Sequence, residues 1–191
     1  MYILLSSILL LFVIAHQTMS FSLNKQYNKN SVFTAVNAML CMIVLDRLIK
    51  YWTITEIAPL KKGIELINGV FRFSYVENRG AAFGMLQNHR WVFIVATTVL
   101  VIAGLIWLFK CKLTQPFTKS AVIMIAAGGI GNLIDRVFIG YVIDTFDFYL
   151  INFAVFNVAD CFVCVGAALL IIGILLTPEK KKEKASEDSQ A

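Results

Sequence analysis

Two aspartates, Asp144 and Asp160, lie at the edges of one short segment between strongly apolar stretches of this chain. A carboxylate in or near hydrocarbon is costly, so one found there usually marks a transport pathway or a catalytic site. Two carboxyl groups that share a proton can activate water against an amide, one as the base and the other as the acid. The pair therefore predicts an aspartic hydrolase, provided that the two side chains meet. A small proton or ion translocator using the same acids is the alternative.

The composition indicates an integral membrane protein. Of the 191 residues, 59% are hydrophobic and 15% are charged, which leaves no room for a separate soluble domain. Four segments reach the roughly 20 apolar residues that a membrane-spanning helix needs. They cover residues 32–52, 91–109, 120–139 and 156–176. We therefore expect an α-helical membrane protein with four transmembrane helices, forming one domain over residues 32–176.

The lysines predict the orientation. The net charge of +5 comes from lysines beside apolar runs, which fits membrane topology better than nucleic-acid binding. Lysines precede the first span and recur in residues 110–119 and in the tail, so this side should be cytoplasmic. Residues 140–155 contain no Lys or Arg, which places them and both aspartates near the outer face. The basic residues within 53–90 argue against this orientation, but the length of that segment weakens the objection.

The long outer segment, residues 53–90, carries a hairpin signal. Asn68-Gly69 separates two apolar stretches, and this dipeptide favours a tight β-turn. Apolar and polar residues then alternate over residues 71–75, which is typical of a half-buried strand. We expect a small β-hairpin or sheet on the outer face of the helices, with an irregular loop as the alternative.

The two ends of the chain lie outside this domain. Residues 1–31 are interpreted as an N-terminal extension and cytoplasmic lead-in. The apolar run 2–15 is short for a span and lacks the positive start of a signal peptide, so Met19 is the preferred start, although a fifth span stays open. Residues 177–191 are polar and predict a disordered cytoplasmic tail.

Polar residues in the third span predict support for a site. Gly128, Gly129 and Gly131 allow neighbouring helices to approach closely. Asn132 and Arg136, four residues apart, share a helix face and need partners at this depth, and the planar guanidinium could grip a carboxylate. Asp135 could equally belong to the site or to the membrane interface.

Three further patterns have a structural and a functional interpretation. Asp46 and Lys50 have the spacing of an ion pair on one helix, although Lys50 could instead reach a lipid phosphate or a substrate. Asn78 and Gly80 suggest a turn that brings backbone close to another group. The pair Cys161 and Cys164 is interpreted as helix packing rather than a metal site, because the other ligands are missing.

Five blocks of this sequence together resemble the lipoprotein signal peptidase, or signal peptidase II, family. They are Asp46-x-x-x-Lys50, Asn78-x-Gly80-Ala81-Ala82-Phe83, Gly131-Asn132-x-x-Asp135-Arg136, Val142-Ile-Asp144 and Phe156-Asn157-x-Ala159-Asp160. The resemblance runs in order over roughly residues 32–176. One departure is Thr145, where the family usually has a bulkier apolar residue.

The resemblance implies an aspartic endopeptidase of the bacterial cytoplasmic membrane, with its active site near the outer, periplasmic face. It would cut prolipoproteins just before the cysteine that carries diacylglyceryl. The catalytic dyad matches Asp144 and Asp160 rather than Asp147, the third acid in this region. The residues that would support the dyad or bind substrate are Asp46, Lys50, Asn78, Gly80, Asn132, Arg136 and Asn157. No metal or cofactor is implied. The expected partners are lipid-modified prolipoproteins, membrane lipids and a globomycin-type inhibitor, with no nucleic acid, and we expect a monomer.

Overall fold

The computed structural model describes residues 29–80, 87, 89–110 and 115–176. Four long helices dominate this part of the chain: α1 (Lys29–Trp52), α2 (Arg90–Lys110), α3 (Pro116–Phe138) and α4 (Val158–Leu175). Each is long and apolar enough to cross a membrane, so the four predicted spans are confirmed within the described residues. The predictions for residues 2–15 and for the tail lie outside them.

The end of α1 is irregular. The helix passes into a π-helical turn, Thr53–Ile57, and then a short 3₁₀ turn, Ala58–Leu60, which contains Pro59. Because proline has no N–H to donate, it does not continue an α-helical ladder. Together with these two turns, the apolar segment that could span the membrane runs from Val32 to Leu60, which is longer than the predicted 32–52.

Three antiparallel strands form a small sheet in the order β1 (Ile64–Ile67), β2 (Phe71–Asn78) and β3 (Val142–Asp147). The predicted hairpin is present, and Gly69 at its tip has a φ of +77°, which glycine adopts without strain. Residues 71–75 are all half-buried, because both faces of β2 are covered. On one face, Phe71 and Phe73 join an aromatic cluster, and on the other Arg72 pairs with Asp147.

The third strand was not predicted, since residues 140–155 were expected to be a connection. It pairs with β2, so that Asn78 lies opposite Val142 and Val76 opposite Asp144. The sheet therefore joins the connection between α1 and α2 to the connection between α3 and α4. All four helices have one terminus at this end of the bundle, which we call the sheet end.

Helix α3 is central to the bundle and packs on each of the other three helices. Its glycines permit this, as the sequence predicted. A Cβ added at Gly128 would lie 2.3 Å from the carbonyl oxygen of Ala159 in α4, and one at Gly129 would lie 2.9 Å from Val101 in α2. Because the backbones approach this closely, polar residues of α3 can reach the first turn of α4.

Candidate active site

Asp144 is carried by β3 and is almost fully buried, with 1% of its surface exposed. Both carboxylate oxygens accept a hydrogen bond from a side-chain amide. Asn78 Nδ2 donates to Oδ2 over 2.9 Å, and Asn157 Nδ2 donates to Oδ1 over 2.6 Å. Since Asn78 lies on the neighbouring strand and Asn157 directly precedes α4, Asp144 is held where the sheet meets the helices.

Asp160 lies in the first turn of α4, at its third residue. The sequence predicted a span over residues 156–176, and the helix instead begins two residues later, at Val158. Asn157 is the N-cap: its Oδ1 accepts from Asp160 N over 3.0 Å, while Asp160 Oδ2 accepts from Asn157 N over 3.1 Å. This reciprocal capping box fixes the Asp160 side chain at the helix start. The spacing Asn157-x-x-Asp160 is a signal from which this start could have been predicted.

Asn132 and Asp46 position α4 from the neighbouring helices. Asn132 Nδ2 in α3 donates to Asp160 Oδ1 over 2.7 Å. Asp46 Oδ1 in α1 accepts from the backbone N–H of Ala159 over 3.1 Å. An acidic group is favourable beside the unsatisfied N–H groups of a first helical turn. The position of Asp160 is thus fixed by its own N-cap, by Asn132 of α3 and by Asp46 of α1.

Lys50 lies at the centre of a buried cluster of charges. Its Nζ lies 3.1 Å from Asp46 Oδ2, which is the predicted ion pair, and 2.7 Å from Asp135 Oδ2. It also donates to Asn132 Oδ1 over 2.9 Å, so all three ammonium protons have an acceptor. The side chain is 2% exposed, which argues against the alternative that it reaches a lipid phosphate.

Arg47 completes the cluster and was missed by the sequence interpretation. Its guanidinium pairs with Asp46 over 2.6 Å and also with Asp135, and it donates to the carbonyl of Gly131 over 2.8 Å. Two acids are therefore matched by two bases, as buried charges require. A basic residue directly after Asp46 inside an apolar span was the available signal. Asp135, whose role was open, belongs to this cluster.

Gly80 forms the turn that the sequence predicted, whereas Arg136 has a different partner from the expected carboxylate. Gly80 N donates to Asn78 Oδ1 over 3.0 Å, closing the predicted turn and orienting the Asn78 amide toward Asp144. Arg136 Nη2 donates to the Gly80 carbonyl over 3.1 Å, and its guanidinium lies 4.8 Å from the Phe93 ring centre. Within the described residues, Arg136 thus bonds a backbone carbonyl rather than gripping a carboxylate.

Asp147, the competing acid, has a structural partner. Its Oδ2 accepts from Arg72 Nε over 2.7 Å, and the two residues face each other across β2 and β3. It is buried, but it does not line the cavity on which Asp144 and Asp160 open. Its geometry is that of a cross-strand ion pair.

A cavity of about 560 Å³ opens beside both candidate catalytic carboxyl groups. Its wall contains Asp144 and Asp160 together with Asn78, Asn132 and Arg136, while most of the remaining lining is apolar. The complete lining is Asn78, Asn132, Arg136, Val142, Asp144, Phe153, Ala154, Val155, Phe156, Asp160, Cys161, Cys164 and Val165.

The remaining site candidates lie outside the lining. Lys50, Gly80 and Asn157 are behind the wall and bond residues that form it, namely Asn132, Asn78 and Asp144. Asp46 lies further back, because it bonds Lys50 and the backbone of Ala159, neither of which lines the cavity. The two cysteines of α4, interpreted from the sequence as packing residues on one helix face, both line the cavity. Cys161 is half-buried and Cys164 is exposed.

The environment of Asp144 favours its protonated form. Burial raises the pKa of Asp144 to about 7, and the nearby charge of Asp160 acts in the same direction. The hydrogen bonds from Asn78 and Asn157 oppose this rise. A pKa near neutrality suits general acid–base chemistry, because both protonation states are then accessible.

Comparisons with known proteins agree with this architecture. A lipoprotein signal peptidase of Clostridioides difficile (strain 630) is 43% identical over 144 residues, covering 75% of this chain and 96% of that protein. One of Streptococcus thermophilus (strain CNRZ 1066) is 43% identical over 135 residues, covering 71% and 88%. A bacterial membrane enzyme solved by the in meso method at 2.3 Å resolution superposes with a TM-score of 0.70 at 30% identity, covering 80% of this chain and 94% of the other. The family model for signal peptidase (SPase) II matches residues 38–176, and the chain therefore belongs to the signal peptidase II family.

Proposed function

We propose that this protein is an aspartic endopeptidase that removes the signal peptide from prolipoproteins, cutting just before the diacylglyceryl-modified cysteine with a water activated by Asp144 and Asp160. Membership of the signal peptidase II family supports the removal of signal peptides by a multi-pass bacterial membrane protein. The observation that carries the assignment of the dyad is geometric. Both carboxyl groups open on one cavity, each accepts a hydrogen bond from a side-chain amide, and among the described residues neither forms an ion pair.

The reaction needs one proton between the two acids. The ionised member takes a proton from the water, and the resulting hydroxide attacks the scissile carbonyl carbon. The protonated member donates to the carbonyl oxygen, and the tetrahedral intermediate collapses when a proton reaches the leaving amine. The pair titrates as a unit, so the shared proton is assigned to the dyad and not to one residue. General acid–base assistance of this kind contributes about 10²–10⁴-fold.

The amide of Asn132 gives the dyad its direction. Lys50 can only donate hydrogen bonds, and an ionised Asp160 can only accept them. Asn132 lies between them, so its oxygen must face Lys50 and its NH₂ group must face Asp160, as observed. Lys50 therefore locks the amide orientation that supports Asp160, while the ammonium itself contacts Asn132 and not the dyad.

The cavity offers space for both parts of the substrate. Its polar end, with the dyad and Arg136, suits the peptide bond to be cut. Its apolar wall, including Phe153, Val155 and Val165, suits acyl chains. We assign the diacylglyceryl group to this wall, and we expect a globomycin-type inhibitor to compete for the same space.

The enzyme would work as a monomer in the cytoplasmic membrane, with the sheet end facing the periplasm. The orientation rests on the lysines near the opposite helix ends, such as Lys110 and Lys119. Labelling of cysteines placed singly at exposed sheet positions, such as Glu65→Cys in a chain lacking its other cysteines, tests this. An impermeant maleimide added to intact spheroplasts should react, and failure to react would reverse the orientation.

The catalytic assignment is tested with three isosteric substitutions in the purified full-length protein. Asp144→Asn and Asp160→Asn should each abolish cleavage of a diacylglyceryl-modified precursor while the protein stays folded. Asp147→Asn is the matched control, because it removes a buried carboxylate three residues from Asp144 that pairs with Arg72. It should retain cleavage. Mass measurement of the products locates the cut. Wild-type cleavage by the Asp144 or Asp160 variant would remove that residue from the dyad.

A further inference from the structure

Behind β3, on the side away from the cavity, two threonine hydroxyls meet. Thr145 follows Asp144 in the strand, and Thr53 is the first residue of the π turn at the end of α1. Their Oγ1 atoms are 2.8 Å apart, and neither residue has any solvent-exposed surface. Successive side chains of a strand point to opposite faces. The side chain of Thr145 therefore anchors the same stretch of backbone that presents Asp144 to the cavity.

The donor in this contact follows from counting protons. Each hydroxyl has one proton to donate and two lone pairs. Thr53 Oγ1 donates to the carbonyl of Ile49, one helical turn earlier, over 2.8 Å. Its proton is thus in use, and the contact with Thr145 must run from the Thr145 hydroxyl to the Thr53 oxygen. This hydrogen bond from the Thr53 side chain to the Ile49 carbonyl lies where the helix changes from α to π geometry. Short π-helical turns are frequently found at functional sites.

Thr145 is also held from its other side. Its backbone N–H and that of Phe146 both donate to the carbonyl of Phe156, over 2.9 and 2.8 Å. Phe156 directly precedes Asn157, whose amide bonds Asp144 and whose cap starts α4. Thr145 therefore links the end of α1, through its side chain, to the start of α4, through its backbone.

We propose, on the basis of the dyad assigned above, that Thr53 and Thr145 are positioning residues whose hydroxyl–hydroxyl bond fixes the Asp144 carboxyl group relative to Asp160. Neither threonine lines the cavity or belongs to the charge cluster around Lys50. Their effect is therefore on the geometry of the dyad and not on contact with the substrate.

The asymmetry of donor and acceptor predicts an order among valine substitutions, which remove the hydroxyl at nearly constant shape. Thr145→Val removes one neutral hydrogen bond, and Thr53 keeps its own acceptor, so kcat should fall about 2- to 13-fold. Thr53→Val leaves the buried Thr145 hydroxyl without its acceptor, so kcat should fall further, by about 5- to 150-fold. The double variant replaces both partners with apolar groups of the same shape and should recover activity relative to Thr53→Val.

The experiment measures kcat and KM for a diacylglyceryl-modified precursor over pH 5–9, with the full-length protein in detergent or lipid. We expect KM to stay within about twofold of wild type, because the cavity lining is intact, while kcat and its pH profile change. Thr145→Ser keeps the hydroxyl and should retain kcat, which separates hydrogen bonding from packing, and it remains informative if a valine variant fails to fold.

Three outcomes would overturn the inference: wild-type kcat in both single valine variants, an equal loss in Thr145→Ser and Thr145→Val, or a double variant worse than Thr53→Val. Asp144→Asn in the same assay separates this inference from the proposed function. An inactive Asp144→Asn beside fully active threonine variants would remove only the positioning pair. An active Asp144→Asn would instead remove the dyad on which the inference rests.

Discussion

Lys50→Met tests the amide lock most directly, because Arg47→Met provides a matched control. Both cations pair with Asp46 and Asp135, so either substitution leaves the buried acids with one base fewer. Lys50 also donates to Asn132, whereas Arg47 donates instead to the backbone carbonyl of Gly131. The two variants therefore share a loss of stability and differ in their connection to the dyad.

The magnitudes of the two effects are separable. Breaking a buried ion pair from one side costs about 3–5 kcal/mol of stability. The cost should be smaller for Arg47, whose side chain is 32% exposed, than for Lys50 at 2%. The hydrogen bond from the Lys50 ammonium to Asn132 is worth about 1.5–3 kcal/mol. Without it, Asn132 can turn its oxygen toward Asp160, and kcat should fall about 10- to 150-fold.

The assay is kcat per folded molecule, with the folded fraction taken from monodisperse elution in size-exclusion chromatography at the assay temperature. We expect Lys50→Met to lose 10-fold or more, while Arg47→Met stays within about threefold of wild type. An equal loss of kcat in both variants would show that cluster integrity, and not the Asn132 lock, supports catalysis. Wild-type kcat for Lys50→Met would refute the lock itself.

Two further predictions concern the pH profile and the helix interface. Asn78→Ala removes a hydrogen bond that lowers the pKa of Asp144, which is about 7, so this pKa should rise. The dyad would then keep its shared proton to higher pH. The basic limb of the kcat–pH profile should therefore shift to higher pH by about one unit. A basic limb that stays in place would show that Asn78 does not act on the dyad. Gly128→Ala should destabilise the bundle strongly, because its Cβ would lie 2.3 Å from the Ala159 carbonyl oxygen. Gly104→Ala is the control and should leave thermal stability nearly unchanged, because its Cβ would meet only a Val122 methyl group at 3.5 Å. Equal melting temperatures for the two alanine variants would contradict the close approach.

Local signals in the sequence account for much of this fold. The four spans follow from apolar length alone, and the hairpin follows from Asn68-Gly69, because both are properties of contiguous residues. Strand β3 could not be predicted in this way. The residues of β2 that pair with it, such as Asn78, are far away in the sequence. The β3 segment is also short, and its two aspartates lower its apparent β-propensity. A pairing between distant strands depends on tertiary contacts, which a local pattern does not contain.

The same division applies to the site. The Asp46–Lys50 pair was predictable because residues four apart on a helix are neighbours. The inclusion of Arg47 and Asp135 was not, because it depends on how α1 rotates against α3. Arg136 shows the opposite case: its helix position was visible in the sequence and its side chain lines the cavity, but its partner, the Gly80 carbonyl, is supplied by a turn after β2.

The separation between the charge cluster and the dyad has a chemical reason. An ammonium group in direct contact with Asp160 would favour its ionised form so strongly that a shared proton would be lost near neutral pH. An apolar neighbour would leave Asp160 Oδ1 without a hydrogen-bond donor, since the capping box holds only Oδ2. Asn132 avoids both outcomes, because it donates a directed hydrogen bond over 2.7 Å while Lys50 bonds only its oxygen. Asn132→Lys should therefore abolish cleavage even if the protein folds, since it would bring a full positive charge to Asp160. Activity in that variant at pH 7 would show that the dyad works without a shared proton.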